Sequence, residues 1–191
     1  MVDVYARWGK RLLDIFLSSA GLLFLSPLLV FTAFCIWLED RKTSIFRQER
    51  VGRNEAPFTM WKFRSMPIGA ENLPSARAAA PAVTRVGRVI RRSSLDELPQ
   101  LTNVVRGDMS LVGPRPALPT QVELIRLRQN TDAVCLRPGL TGLAQIRSYD
   151  GMPDDQKAGH DVEYAEQISF MNDLNILAKT AAYLLKPPPR Y

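Results

Sequence analysis

The chain has 191 residues, and its 25 Lys and Arg against 19 Asp and Glu leave it at +6. That length supports one domain of roughly 150 residues with an appendage, and the positive balance points to anionic partners: nucleotides, phosphates, nucleic acid or an acidic membrane surface. Two distant cysteines, Cys35 and Cys135, and a single histidine, His160, argue against a disulfide scaffold or a zinc centre.

The first predicted element is apolar: from Ile15 to Leu38 no residue is charged. As a straight helix this run measures about 36 Å, against about 30 Å for a bilayer hydrocarbon core. Its length and the lack of an Ala-x-Ala-like site set it apart from a cleaved signal peptide. Ser26-Pro27 falls in the middle, where proline removes a backbone hydrogen bond and predicts a kink. Arg7, Lys10 and Arg11 precede the run and Arg41, Lys42 and Arg47 follow it, so both flanks carry the charge that marks the cytosolic side. A re-entrant helix-break-helix satisfies both flanks, with Ser26 available to the backbone groups that Pro27 frees. A kinked spanning helix satisfies the length equally well. Asp14 follows Lys10 by four residues and Arg11 by three, which predicts pairing on one helix face and an interfacial anchor able to meet a lipid phosphate.

Ile45 to Asn54 reads as a short strand entering a glycine turn, and Phe58 to Met66 alternates like a half-buried strand. Together they predict a hairpin on which Lys62 and Arg64 project from one face as a cation pair able to grip a diphosphate. Pro67 to Pro81 reads as a surface loop. Thr84 to Arg92 predicts a short amphipathic helix with Arg88, Arg91 and Arg92 along one stripe. Ser94 and Glu97 have capping-box spacing, which predicts a second helix burying Leu95, Leu98, Leu101 and Val105 and holding Asp96 and Glu97 in its first turn. Pro99 allows a start two or three residues later. Two adjacent carboxylates beside arginines can hold Mg²⁺ while the guanidiniums neutralise phosphate oxygens, and a carboxylate can also be a nucleophile. On their own, such charges are more often a solvated helix face. Arg115, between Pro114 and Pro116, is a guanidinium on a stiff mount. Leu136 to Ile146 is a glycine-punctuated turn, and two amphipathic helices follow over Asp161 to Gln167 and Asp173 to Leu185. The second has an apolar stripe through Ile176, Leu177, Thr180, Ala181, Leu184 and Leu185, facing a core or, with Lys179 and Lys186, a membrane interface.

Lys10-Arg11 with Asp14, Ser26-Pro27, Val51-Gly52 followed by Lys62 to Met66, Ser94 to Leu101, Gly107 to Ser110, Gly113 to Pro116, Arg137 to Gly139 and Thr141-Gly142 occur in an order that carries a resemblance. The chain resembles the small, single-domain bacterial sugar transferases known as monotopic phosphoglycosyl transferases, which begin glycoconjugate assembly on a polyprenyl phosphate. The resemblance implies an α/β fold, mainly α with a small sheet: a re-entrant membrane helix and anchor over 1–40 and a compact cytosolic catalytic domain with amphipathic interfacial helices over 41–191. It implies that Asp96 attacks the β-phosphorus of a UDP-sugar and releases UMP, with Glu97 and Asp96 holding Mg²⁺. Polyprenyl phosphate, usually undecaprenyl phosphate, then attacks the aspartyl phosphosugar to give polyprenyl diphosphate sugar. Lys62, Arg64, Arg88, Arg91, Arg115 and Arg137 become the substrate-binding cations, and Lys10, Arg11, Asp14, Ser26 and Pro27 the membrane and lipid-phosphate residues. The expected setting is the cytosolic face of a bacterial inner membrane. The partners implied are UDP-sugar, polyprenyl phosphate and membrane lipid, not nucleic acid, with a homodimer left open. Members often continue with Asn-Gly-Arg where this chain has Arg147-Ser148-Tyr149, which leaves the sugar open.

The chemistry is coherent from below. One anionic phosphate attacking another suffers charge repulsion, and a covalent aspartyl phosphate splits the transfer into two steps with one charged partner each. Two rivals stand beside this reading: a membrane-tethered basic protein that binds nucleic acid or acidic lipid, and a spanning enzyme whose acids only coordinate metal for direct transfer.

Overall fold

A computed structural model describes residues 4–69, 83–147 and 152–184. The expected loop from residue 70 onward, Ser148 and Tyr149, the side chain of Leu184, and Leu185 and Lys186 lie outside the described residues. The longest element is α1, Lys10–Asp40, entered through a π-helical turn at Tyr5–Gly9. Tyr5–Asp40 is long and apolar enough to cross a membrane. The helix runs through Pro27 rather than breaking into two assigned segments. Pro27 cannot donate to the carbonyl of Leu23, four residues back, and the Ser26 hydroxyl donates to that oxygen instead at 2.7 Å. This local satisfaction keeps the helical trace intact. The apolar side chains around the proline, among them Leu23, Phe24, Leu28, Val30 and Phe31, are exposed.

Both ends of α1 are tied to the remainder of the chain. At its start Lys10 pairs with Asp173 at 2.7 Å, Arg11 donates to the carbonyls of Val104 and Val105 at 2.7 and 3.0 Å, and buried Asp14 accepts from the Ser110 hydroxyl and the Leu111 amide at 2.8 and 2.9 Å. The expected pairing of Asp14 with Lys10 and Arg11 is therefore not made. Each charge is spent on a partner more than ninety residues away, because burial of a carboxylate demands hydrogen bonds that a flexible neighbour on the same helix does not supply. At its end Ile36 packs with Phe63 and Ile90, and Arg41 closes the helix in the left-handed region with φ 58°.

The polar domain is mainly helical. Strands β1, Ile45–Val51, and β2, Pro57–Phe63, form the predicted antiparallel hairpin with Phe46 opposite Lys62 and Gln48 opposite Met60. Helix α2 is Arg85–Arg92, α3 is Gln100–Arg106, and β3, Ser110–Val112, pairs in parallel with β4, Gly139–Thr141. Between the last two strands lies α4, Val122–Gln129, and after them come α5, Leu143–Arg147, α6, Asp154–Glu166, and α7, Phe170–Leu184. The small sheet is thus two separate two-stranded ladders. The main core gathers Met60, Leu101, Val104, Met109, Leu143, Tyr164 and Ile176. Val104 rather than Val105 fills the α3 position, and in α7 Ile176, Leu177 and Thr180 face inward while Ala181 is exposed. Buried Asn103 locks α3 to β2: its carboxamide accepts from the Trp61 amide at 3.1 Å and donates to the Thr59 carbonyl at 2.7 Å.

Candidate active site

The carboxylates lie on a single 3-10 turn, Leu95–Glu97, between α2 and α3. Ser94 enters it in the left-handed region with φ 53° and ψ 18°, and the amides of Glu97 and Leu98 close it on the Ser94 and Leu95 carbonyls, both at 3.2 Å. The predicted capping box is not formed. Proline at 99 takes the N-cap of α3, the later start that its missing N–H favours, so Asp96 and Glu97 precede the helix instead of occupying its first turn.

Lys62 on β2 pairs with Glu97 at 2.8 Å. Asp96 forms no ion pair among the described residues, and burial pushes its carboxyl above the ordinary range. The neighbouring Glu97 charge adds to that rise, while Lys62 and Arg91 oppose it. Arg91 is held in turn by a hydrogen bond from its Nε to the Ser65 hydroxyl at 2.8 Å. Asp96, Glu97, Lys62 and Arg91 thus meet in one place. Arg88 is exposed on α2, one turn before Arg91.

Arg64 does not join them. The strand ends at Phe63, and Arg64 turns inward, 6% exposed, to make a bidentate pair with Asp40 at 2.5 and 2.6 Å. The expected cation pair with Lys62 fails because the alternation on which it rests stops one residue earlier. Arg137 lies at the other end of α3, where its Nε donates to the Gly107 carbonyl at 2.9 Å. Burial holds its guanidinium below the usual range, helped by Arg11 and Arg53. With Arg11 on the Val104 and Val105 carbonyls, it supplies the positive charge that a helix C-terminus favours.

Arg115 is exposed on its mount. The mount is rigid for a reason found in the glycines: a Cβ on Gly113 would sit 2.4 Å from the Arg137 carbonyl, and one on Gly142 would sit 2.1 Å from the Gly113 carbonyl. Backbone packs directly on backbone there, which joins Gly113 to Pro116 with Arg137 to Gly142. Two arginines that sequence reasoning overlooked complete the mount. Arg50 donates to the Pro116 carbonyl at 3.0 Å and to the Gln48 carboxamide at 2.6 Å. Burial and then the nearby Arg115 charge lower its guanidinium to about 10, opposed by Glu97. Arg128 donates to the Arg115 carbonyl at 3.1 Å while paired with buried Asp161 at 2.5 Å. One signal was available for Arg50: in the β1 alternation it falls with Gln48 on the same side as Lys62, so an inward strand face carries two cations.

Among the described residues no group of three or more His, Cys, Asp or Glu could hold a metal. Asp96 and Glu97 are a two-carboxylate set, and Mg²⁺ characteristically takes one or two carboxylates and completes its shell with water and substrate phosphate. The pair fits that ion better than one needing an all-protein cage.

A carboxylate without an ion pair among the described residues, set among cations in a domain that docks a long apolar helix, is compatible with a membrane-associated enzyme. Residues 5–187 match the family described as bacterial sugar transferases, and the chain belongs to that family. It is 38% identical over 191 residues to a UDP-glucose:undecaprenyl-phosphate glucose-1-phosphate transferase of Caulobacter vibrioides, covering 95% of this chain and 72% of that protein. It is 37% identical to an undecaprenyl-phosphate galactose phosphotransferase of Salmonella typhimurium, covering 97% of this chain but 42% of that protein. An uncharacterized sugar transferase of Bacillus subtilis is 37% identical, over 92% of this chain and 87% of its own length.

Proposed function

We propose that the chain transfers a sugar 1-phosphate from a UDP-sugar to polyprenyl phosphate, undecaprenyl phosphate in bacteria, through an aspartyl phosphosugar. The activities of the Caulobacter and Salmonella relatives support the overall reaction. One observation carries the assignment: Asp96 is a partly buried carboxylate with no ion pair among the described residues, while Lys62 and Arg91 beside it supply positive charge for a diphosphate.

In the first step an Asp96 oxygen attacks the β-phosphorus, the bond from that phosphorus to the bridging oxygen breaks, and UMP leaves with that oxygen. In the second, a phosphate oxygen of the polyprenyl phosphate attacks the same phosphorus. The acyl phosphate bond breaks, Asp96 returns as a carboxylate and polyprenyl diphosphate sugar departs. The anomeric carbon keeps its oxygen throughout, so no carboxylate pair flanking a glycosidic bond is needed. Phosphoryl transfer depends on alignment and charge neutralisation, and Lys62, Arg88, Arg91 and Arg115 are assigned to that task. Arg64 and Arg137, engaged with Asp40 and Gly107, act by holding the segments they cap. Asp96 and Glu97 would hold Mg²⁺, which when bound supplies further charge neutralisation at the phosphoryl oxygens.

The membrane helix is read as re-entrant on the cytosolic face of the inner membrane. Both of its ends are anchored on the polar domain and its exposed middle is apolar, which supports that reading. Detergent-solubilised protein given UDP-sugars and Mg²⁺ is expected to release UMP. With the lipid acceptor withheld, it gains the mass of one sugar phosphate at Asp96. Normal turnover without that adduct would overturn the two-step reading in favour of direct transfer.

A further inference from the structure

We infer that Glu39 and Asp40, the last two residues of α1, are positioning residues that couple the seating of the membrane helix to the placement of Arg91 and of the turn carrying Asp96; this rests on the reaction proposed above. Asp40 holds Arg64 bidentately at 2.5 and 2.6 Å. Arg64 is the residue before Ser65, whose hydroxyl accepts from Arg91 at 2.8 Å. Glu39 takes a second route to the same arginine. Its carboxylate accepts from the Arg85 and Val86 amides at 2.7 and 3.2 Å, the first two of α2. Thr84 already caps the Gly87 amide at 2.9 Å, so α2 has a cap of its own, and what Glu39 adds is a fixed position relative to the membrane helix.

Packing welds the two routes together. A Cβ on Gly87 would lie 2.1 Å from the Ser65 carbonyl, so α2 rests directly on that backbone. Ile36 of α1 packs with Phe63 and Ile90, and Leu95, next to Asp96, packs against the same cluster. The other end of α1 is wired differently: Lys10, Arg11 and Asp14 bind α7, α3 and β3. Among the described residues, it is through the C-terminal end of α1 that the helix reaches α2, which carries Arg91, and Leu95 of the catalytic turn. Support of this kind fixes a reacting group to a fraction of an ångström, so loosening it costs turnover more than ground-state affinity.

The test uses the full chain in lipid nanodiscs. Glu39→Gln and Asp40→Asn are expected each to lower kcat by about tenfold with KM for the UDP-sugar within about twofold. Asp40→Glu restores most of the loss. Tyr5→Phe, which loosens the opposite anchor by removing a 2.6 Å hydrogen bond to Asp173, leaves kcat unchanged. Amide exchange, which needs no substrate, is expected to quicken at Glu97 and Leu98 in Glu39→Gln and Asp40→Asn but not in Tyr5→Phe. Wild-type kcat in both carboxamide variants, a uniform loss across all variants, or unchanged exchange at Glu97 and Leu98 would overturn the inference. A wild-type protein that releases no UMP would instead refute the proposed reaction, and the exchange measurement would still decide the coupling.

Discussion

Asp96 sits in an environment that works against its own charge. Burial and Glu97 raise it, and Lys62 and Arg91 offset only part of that rise. In the proposed reaction, a carboxylate held this way keeps its electron pairs free of a competing ion pair among the described residues. The sign of the linked effect on folding follows: a carboxyl raised above its unfolded value contributes stability below the unfolded pKa and loses it as pH rises through the folded one. Asp96→Asn, which removes the charge and keeps the shape, is therefore expected to melt above wild type at neutral pH with metal chelated. That advantage should vanish as the buffer falls below about pH 4, where the free carboxyl is itself neutral. The same variant should release no UMP, so a gain in melting temperature accompanies the loss of chemistry. A variant that melts lower than wild type at neutral pH would contradict the electrostatic account. The residue types of this centre were legible in the chain, since adjacent acids beside arginines are a local pattern. What was not legible was the spending of charge over distance: Arg64 goes to Asp40 and Arg50 to the Pro116 carbonyl, partners that no spacing rule connects.

Elements set where these residues point, and Gly87 shows how tightly. Replacing a helical glycine with alanine ordinarily gains about 0.5–1 kcal/mol by reducing backbone entropy. Here the added methyl would meet the Ser65 carbonyl at 2.1 Å, a backbone atom that cannot swing aside. Gly87→Ala should therefore destabilise by about 1–3 kcal/mol, the ordinary cost of forcing atoms into a filled space, and should move Arg91 with α2. Thermal denaturation checks the first part; a variant more stable than wild type would mean that α2 does not rest on Ser65. Period and turn chemistry foresaw the hairpin, the α2 helix and the stiff Arg115 mount, while the Thr84 cap of α2 emerged only from the structure. They misplaced the start of α3, because a capping box and an early proline compete for the same residues and the proline prevailed. They also could not reveal that Gly113 and Gly142 serve one close backbone contact, since its two halves lie far apart in the chain.

For the molecule as a whole, the decisive feature is that α1 is attached at both ends while one face of its middle stays exposed and apolar, the other packing through Leu22 and Leu29. Its N-terminal anchor includes Asp14, 4% exposed and bonded to Ser110 and Leu111, and the ion pair of Lys10 with Asp173, itself 2% exposed. Removing one partner from a buried pair of this kind costs about 3–5 kcal/mol, because the other charge is left uncompensated. A crossing of the bilayer would have to detach one end of α1 from the polar domain and pay that penalty, while the C-terminal attachment through Glu39 and Asp40 stands equally in the way. The apolar face exposed around Leu23, Phe24 and Phe31 is what a surface in contact with lipid presents. Both demands are met if the middle dips into one leaflet and the two ends return to the same side, with the Ser26 hydroxyl covering the carbonyl that Pro27 leaves open. Single cysteines introduced at Val2 and at Tyr191, in a background with Cys35 and Cys135 replaced by serine, should accordingly react with a membrane-impermeant maleimide in inverted vesicles. Neither should react in sealed cells of normal orientation. Labelling of the Val2 cysteine from outside would mean that the N-terminal anchor opens in the membrane, and α1 would then be a spanning helix.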